Sequence, residues 1–179
     1  MRRHAISLPT FLFFIVVLIV ALKLIDWLPG AFQPGTVRRY ASIAEAQATL
    51  GIAKIYVPAY FPKTLVWPPS RVLAQSKPFA AVVMEFHRVD SQEVALVITQ
   101  TSSRRLQQRP QIRLKRVRQA SSVNLKGRES VVESGFCDDG EPCSKITFME
   151  GDLWIDIQMR SSSEELLVLA GSLLSGRAQ

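Results

Sequence analysis

The hydrophobic pattern opens with one long run, Leu8 to Leu28, broken by one Lys, one Asp and an early Pro; its centre, Phe11 to Leu22, holds no polar group. Twenty-one residues at ~1.5 Å rise reach ~31 Å, enough for a hydrocarbon core of ~30 Å. The run predicts a transmembrane anchor over 8–28. Phe11, Leu12, Phe13 and Phe14 sit in its apolar half, Lys23 can snorkel, and Trp27 lies among the headgroups. Pro29-Gly30 stops the helix. Farther on, Ser42-Ile-Ala-Glu45 is a capping box, and helical sequence follows to Gly51 with Ile43, Ala46 and Leu50 on one face. Ser161 to Glu165 opens a last helix whose apolar face is Leu166, Leu169, Ala170 and Leu173. Between these helices the period is two. Strands are predicted at 71–75, 79–87, 93–101, 112–119, 123–133, 144–150 and 153–159, the last two joined by a tight hairpin at Glu150-Gly151-Asp152. On the final strand Leu153, Ile155, Ile157 and Met159 share one side, and Trp154, Asp156 and Gln158 the other. The strand at 112–119 carries arginine in alternate places and reads as a sheet edge, and Gly127 marks a turn or bulge in the next pair.

Two stretches resist both periods. Residues 31–40, with Pro34, Gly35 and two arginines, read as a linker. Pro58, Pro62, Pro68 and Pro69 exclude a central strand or helix interior, so the segment around Tyr56, Tyr60, Phe61 and Trp67 reads as extended, aromatic-rich chain lying across a core. The organisation expected is a basic cytoplasmic tail at 1–7, the anchor at 8–28, a linker at 29–41 and an exported domain at 42–175. That domain is α+β, a mostly antiparallel curved sheet with two helices packed on one face.

Arg2 and Arg3 precede the run, which puts the N-terminus in the cytoplasm and the domain outside. The competing reading is a cleaved signal peptide, but Leu28-Pro29-Gly30-Ala31 is a poor cleavage site. Neither reading changes the compartment: the domain is extracytoplasmic, in the periplasm or at the cell exterior. There, the two cysteines of Cys137-Asp-Asp-Gly-Glu-Pro-Cys143 are expected to form a structural disulfide. A redox pair normally has two intervening residues, not five, and zinc would need ligands beyond the single exported histidine, His87. Asp138, Asp139 and Glu141 do not follow a calcium-loop spacing and read as solvated turn residues. No metal and no cofactor is expected.

The net charge of +7 is unevenly placed. From Arg104 to Arg128 there are nine basic residues, including Arg113, Lys115, Arg116 and Arg118, and no acid; from Glu129 to Glu165 there are ten acids against two bases. Export argues against nucleic acid as the partner. The cations then serve either as a solvated strand balanced across the sheet or as a face for anionic headgroups or an acidic protein.

No nucleophile elbow, metalloprotease helix or phosphate-cradling glycine loop occurs, so catalysis is not expected. Helix Ser42–Gly51, the motif Val57–Pro62, the step Leu125–Gly127, Trp154 and the helix Ser162–Leu173 resemble, in that order, small bacterial extracytoplasmic domains of unknown function. These stand behind single membrane anchors in anti-sigma-factor-like and lipoprotein-carrier-like proteins. The resemblance implies an exported, non-enzymatic sensing or binding domain. Its ligand, a protein, lipid or other envelope molecule, would meet the concave sheet face, the aromatic set Tyr56, Tyr60, Phe61 and Trp67, or the basic set Arg113, Lys115, Arg116 and Arg118. Membrane lipids and another envelope protein are the partners expected. The alternative is a single-span accessory subunit stabilising a larger membrane complex.

Overall fold

Capping chemistry sets both helices. In the computed structural model, which describes residues 17–18, 37–103 and 112–176, Ser42 Oγ accepts from the Glu45 N–H at 3.1 Å, and Glu45 carboxylate accepts from the Ala41 N–H at 2.6 Å. Helix α1 (Ile43–Leu50) follows and ends at Gly51. Ser162 Oγ caps α2 (Ser163–Gly171) through the Glu165 N–H in the same way.

The strands are β1 (Arg38–Tyr40), β2 (Ile55–Pro58), β3 (Arg71–Gln75), β4 (Ala81–His87), β5 (Val94–Thr101), β6 (Leu114–Leu125), β7 (Arg128–Cys137), β8 (Pro142–Glu150), β9 (Leu153–Met159) and β10 (Leu173–Gly176). Eight form one antiparallel sheet in the order β1-β3-β4-β5-β9-β8-β7-β6; β2 and β10 pair separately. The sheet is therefore two meanders, β3-β4-β5 and β6-β7-β8-β9, fused where β5 meets β9. The predicted α+β class, the antiparallel sheet and both helices hold. Alternate residues of the strands, among them Val72, Met84, Phe86, Leu96, Ile98, Phe148, Ile155 and Ile157, form a core cluster with Ala46 of α1 and Leu166, Leu169 and Ala170 of α2. Both helices thus bury their apolar stripes against the same sheet face.

The β2–β10 ribbon joins that layer. One backbone edge of β2 pairs with β10; on the other, buried Gln100 accepts from the Tyr56 N–H at 2.9 Å and donates its amide to the Tyr56 carbonyl. One side chain thereby satisfies the groups a missing strand would have taken. Pro58 and Pro62 keep the segment out of the main sheet, as expected, but Ile55–Pro58 is a true strand. The last helix is shorter than its periodicity suggested: it ends at Gly171, and Leu173 is buried as the first residue of β10. Arg38–Tyr40, inside the stretch read as linker, is β1, held by the burial of Tyr40.

The two strands read as 112–119 and 123–133 are redrawn. Ser121-Ser122 continues β6, and the chain reverses at Lys126-Gly127, where both residues have positive φ (53° and 87°) as a two-residue hairpin loop demands. Strand β6 is one of the two edges of the sheet, as its alternating arginines predicted. Two bulges bend its first half, and Gly135 of β7 lies so close that a Cβ there would overlap the Arg116 carbonyl oxygen.

The anchor residues Phe11, Leu12, Phe13, Phe14 and Trp27, and the cations Arg104, Arg105 and Arg109, lie outside the described residues. Val17 and Leu18 of the run are helical and exposed. Among the described residues no helix is long and apolar enough to cross a membrane. The chain divides into two units, Met1–Pro34 and Gly35–Gln179, and every element named above belongs to the second.

Candidate functional site: the open face of the sheet

Strand alternation sends every second side chain away from the helices. The register places these side chains in rows across the sheet. One row runs Arg71, Glu85, Val97, Gln158, Lys145, Glu133; the next runs Leu73, Val83, Thr99, Asp156, Thr147, Val131, Ser122. A third includes Thr101, Trp154 and Met149. Residues of all three rows, from β3 round to β6, line a single groove of about 1370 Å³. A sheet whose distant strands share one hollow must curl around it, so this is the concave face.

This face of the sheet has three parts, and Ile112, the disulfide, Lys145 and Glu133 stand beside the groove and not in its lining. At one end Ile112 and the Cys137–Cys143 disulfide (Cα–Cα 5.4 Å) pack on Val83 and Val97, with Leu73 and Leu114 half-buried beside them. In the middle stands a polar network. Asp156 accepts from Thr147 Oγ1 at 3.0 Å and from Gln158 Nε2 at 2.8 Å, and Lys145 Nζ lies 3.2 Å from Asp156 and 3.7 Å from Glu133. Burial pulls the Lys145 ammonium down, but Asp156 and Glu133 outweigh it and hold its pKa above the usual value. Buried Glu85 faces Arg71 at 3.6 Å. Toward the β6–β7 turn the floor becomes apolar and open: Met149 is 44% and Val131 48% exposed, next to half-buried Trp154. There Arg128 pairs with Glu150, and its guanidinium stands 5.6 Å from the centre of the Phe148 ring.

The acids between the cysteines are engaged rather than merely solvated. Arg160 pairs with Asp139 and reaches Glu93 at 3.2 Å, while Arg88 holds Glu141 at 2.7 Å. The Glu141 N–H and the Arg160 guanidinium hold the Asp139 carboxyl below its usual pKa. Among the described residues no group of acids, cysteines and histidines could hold a metal ion.

None of the eight surface residues singled out from the sequence lines the groove. Tyr56 is buried in the core, and Tyr60 is exposed with its N–H donated to Ser172 Oγ at 3.0 Å. Phe61 and Trp67 meet at 5.5 Å and cap Phe86, at 5.0 and 6.0 Å, on the rim of the core. Arg113, Lys115, Arg116 and Arg118 are exposed along and just before β6. The residues of this face were not singled out from the sequence. Trp154, Asp156 and Gln158 were legible as one side of β9; their partners on β7 and β8 follow only once the register is known. No family model, curated protein or solved structure matches the chain.

Proposed function

We propose that this chain is a membrane-anchored extracytoplasmic binding or sensory domain without catalysis, whose concave sheet face receives an elongated amphipathic ligand of acyl-chain type. The observation that carries the reading is the exposed strip of Met149 and Val131 beside Trp154 on the floor of a groove of about 1370 Å³. Small-ligand pockets typically run ~300–1,000 Å³ with a few placed polar groups in an apolar wall. A longer ligand suits this groove: its chain covers the strip, and its polar end meets Thr147, Asp156 and Gln158. The apolar run at 8–28, the exported disulfide and the resemblance to anchored extracytoplasmic domains support a location where such lipids abound.

The test is lipid extraction from the full chain purified in mild detergent from its own membrane, beside the Val131→Glu/Met149→Glu variant. Lipids around an anchor would be equal in both. A lipid species at about one per chain in the wild type and lost from the variant is the expected result; equal recovery from both refutes the groove. A particle carrying other chains at fixed stoichiometry would instead support an accessory subunit of a membrane complex.

A further inference from the structure

We infer that the outer edge of β6 is a docking site for an extended, acidic segment of a partner protein, which adds to the sheet as a ninth strand. The inference rests on the outward backbone of β6, whose Ser122 and Asn124 also line the groove.

Edge strands invite pairing because one row of their N–H and C=O groups lacks a neighbour, and proteins guard them with charge, bulges or brevity. The two edges of this sheet differ. Strand β1 has three residues; β6 has twelve, and Lys115 through Ser122 are all exposed. Both bulges of β6 and the cations Lys115, Arg116 and Arg118 fall in its first half. The second half, Ala120-Ser-Ser-Val-Asn124, has neither charge nor bulge and runs in unbroken register with β7. A guarded half beside an open half is an edge that selects its partner rather than refusing all.

Charge settles which occupant fits. Among the described residues Arg116 has no ion pair, Lys115 reaches only exposed Asp138 at 3.8 Å, and Arg118 lies over the Phe136 ring at 4.4 Å. A second copy would bring either β6 or the likewise cationic Arg38–Tyr40 edge, setting cation beside cation. A phosphate surface would need only the cations and would leave the open half unused. An acidic strand uses both: backbone bonds give affinity along 120–124, and its carboxylates meet Arg116 and Lys115.

The turn geometry says which groups are free. A two-residue loop at Lys126-Gly127 makes Leu125 and Arg128 a hydrogen-bonded pair, so Val123 and Ser121 also face β7 while Asn124, Ser122 and Ala120 face outward. Ser122→Pro therefore removes an outward donor and leaves the β6–β7 ladder intact.

The experiment measures binding of a labelled nine-residue peptide of alternating threonine and glutamate to the full chain in detergent, with a threonine–lysine peptide as control. The expected result is saturable binding of the acidic peptide alone, weakened ten-fold or more by Ser122→Pro and made insensitive to salt by Arg116→Glu. Ala120→Pro serves if the first proline variant melts early. Any of three results overturns the proposal: no saturable binding, binding that neither proline variant changes, or displacement by single-stranded DNA or anionic vesicles with equal effect in wild type and variants. Self-association of the chain abolished by Ser122→Pro would assign the edge to a second copy and overturn it as well.

Discussion

The two faces of the main sheet are made by the same strands and obey different rules. On the helix side, alternate positions are almost uniformly large and apolar: Phe86, Met84, Leu96, Ile98, Ile155 and Ile157 are each at or near zero exposure. On the concave side the intervening positions mix Leu73, Val83 and Trp154 with Thr99, Asp156 and Lys145. One face is filled to the density of a protein interior, where even a methylene is felt; the other keeps a hollow and a hydrogen-bonded floor. Period-two alternation lets one strand serve both ends, since a residue's neighbour in sequence lies on the opposite face.

The contrast can be broken by matched truncations. Phe86→Ala, which also removes the ring that Phe61 and Trp67 pack on, should cost ~3–5 kcal/mol of unfolding free energy. Met149→Ala on the open floor should cost less than about 1 kcal/mol. Denaturant melts of both settle it, and a Met149 loss as large as that at Phe86 would mean the concave face is core. An effect between these two is expected at the packed cluster beside the hollow. Replacing both Cys137 and Cys143 by Ala should cost ~2.4 kcal/mol by loop-closure entropy, with reductant acting on the wild type alone. The smallest effect is with pH. Asp139, held below the ordinary 3.8, adds stability that is present above that value and lost as pH falls through its lowered pKa. Lys145, held above the ordinary 10.5, adds stability that is present below that value and lost as pH rises through its raised pKa. Melting temperature should therefore be flat in the middle range, losing its acid arm in Asp139→Asn and its alkaline arm in Lys145→Met.

What could be read from the sequence was local. Ser42 with Glu45, Ser162 with Glu165, the Glu150–Asp152 hairpin, the cysteine bridge and the charged edge all rest on residues within a few positions of one another, and all stand in the structure. What could not be read depends on partners far away in the chain. Leu173 continues the helical spacing of Leu166 and Leu169, so nothing nearby reveals that it leaves the helix to pair with Pro58. Ser121-Ser122 looks like a break because an outer strand has little packing to demand apolar residues. Arg38–Tyr40 is strand only because β3 lies beside it. The groove needs register across seven strands before its residues can be named together.

The pairing of β10 with β2 has a consequence for synthesis. Ile55–Pro58 emerges more than a hundred residues before Leu173–Gly176, so the first element of the ribbon must wait for the last. Local hairpins such as β6–β7 and β8–β9 can close as they appear, while the layer over the core stays incomplete. A chain made from its N-terminus would thus stay loose, and open to chaperone or protease, until β10 had emerged.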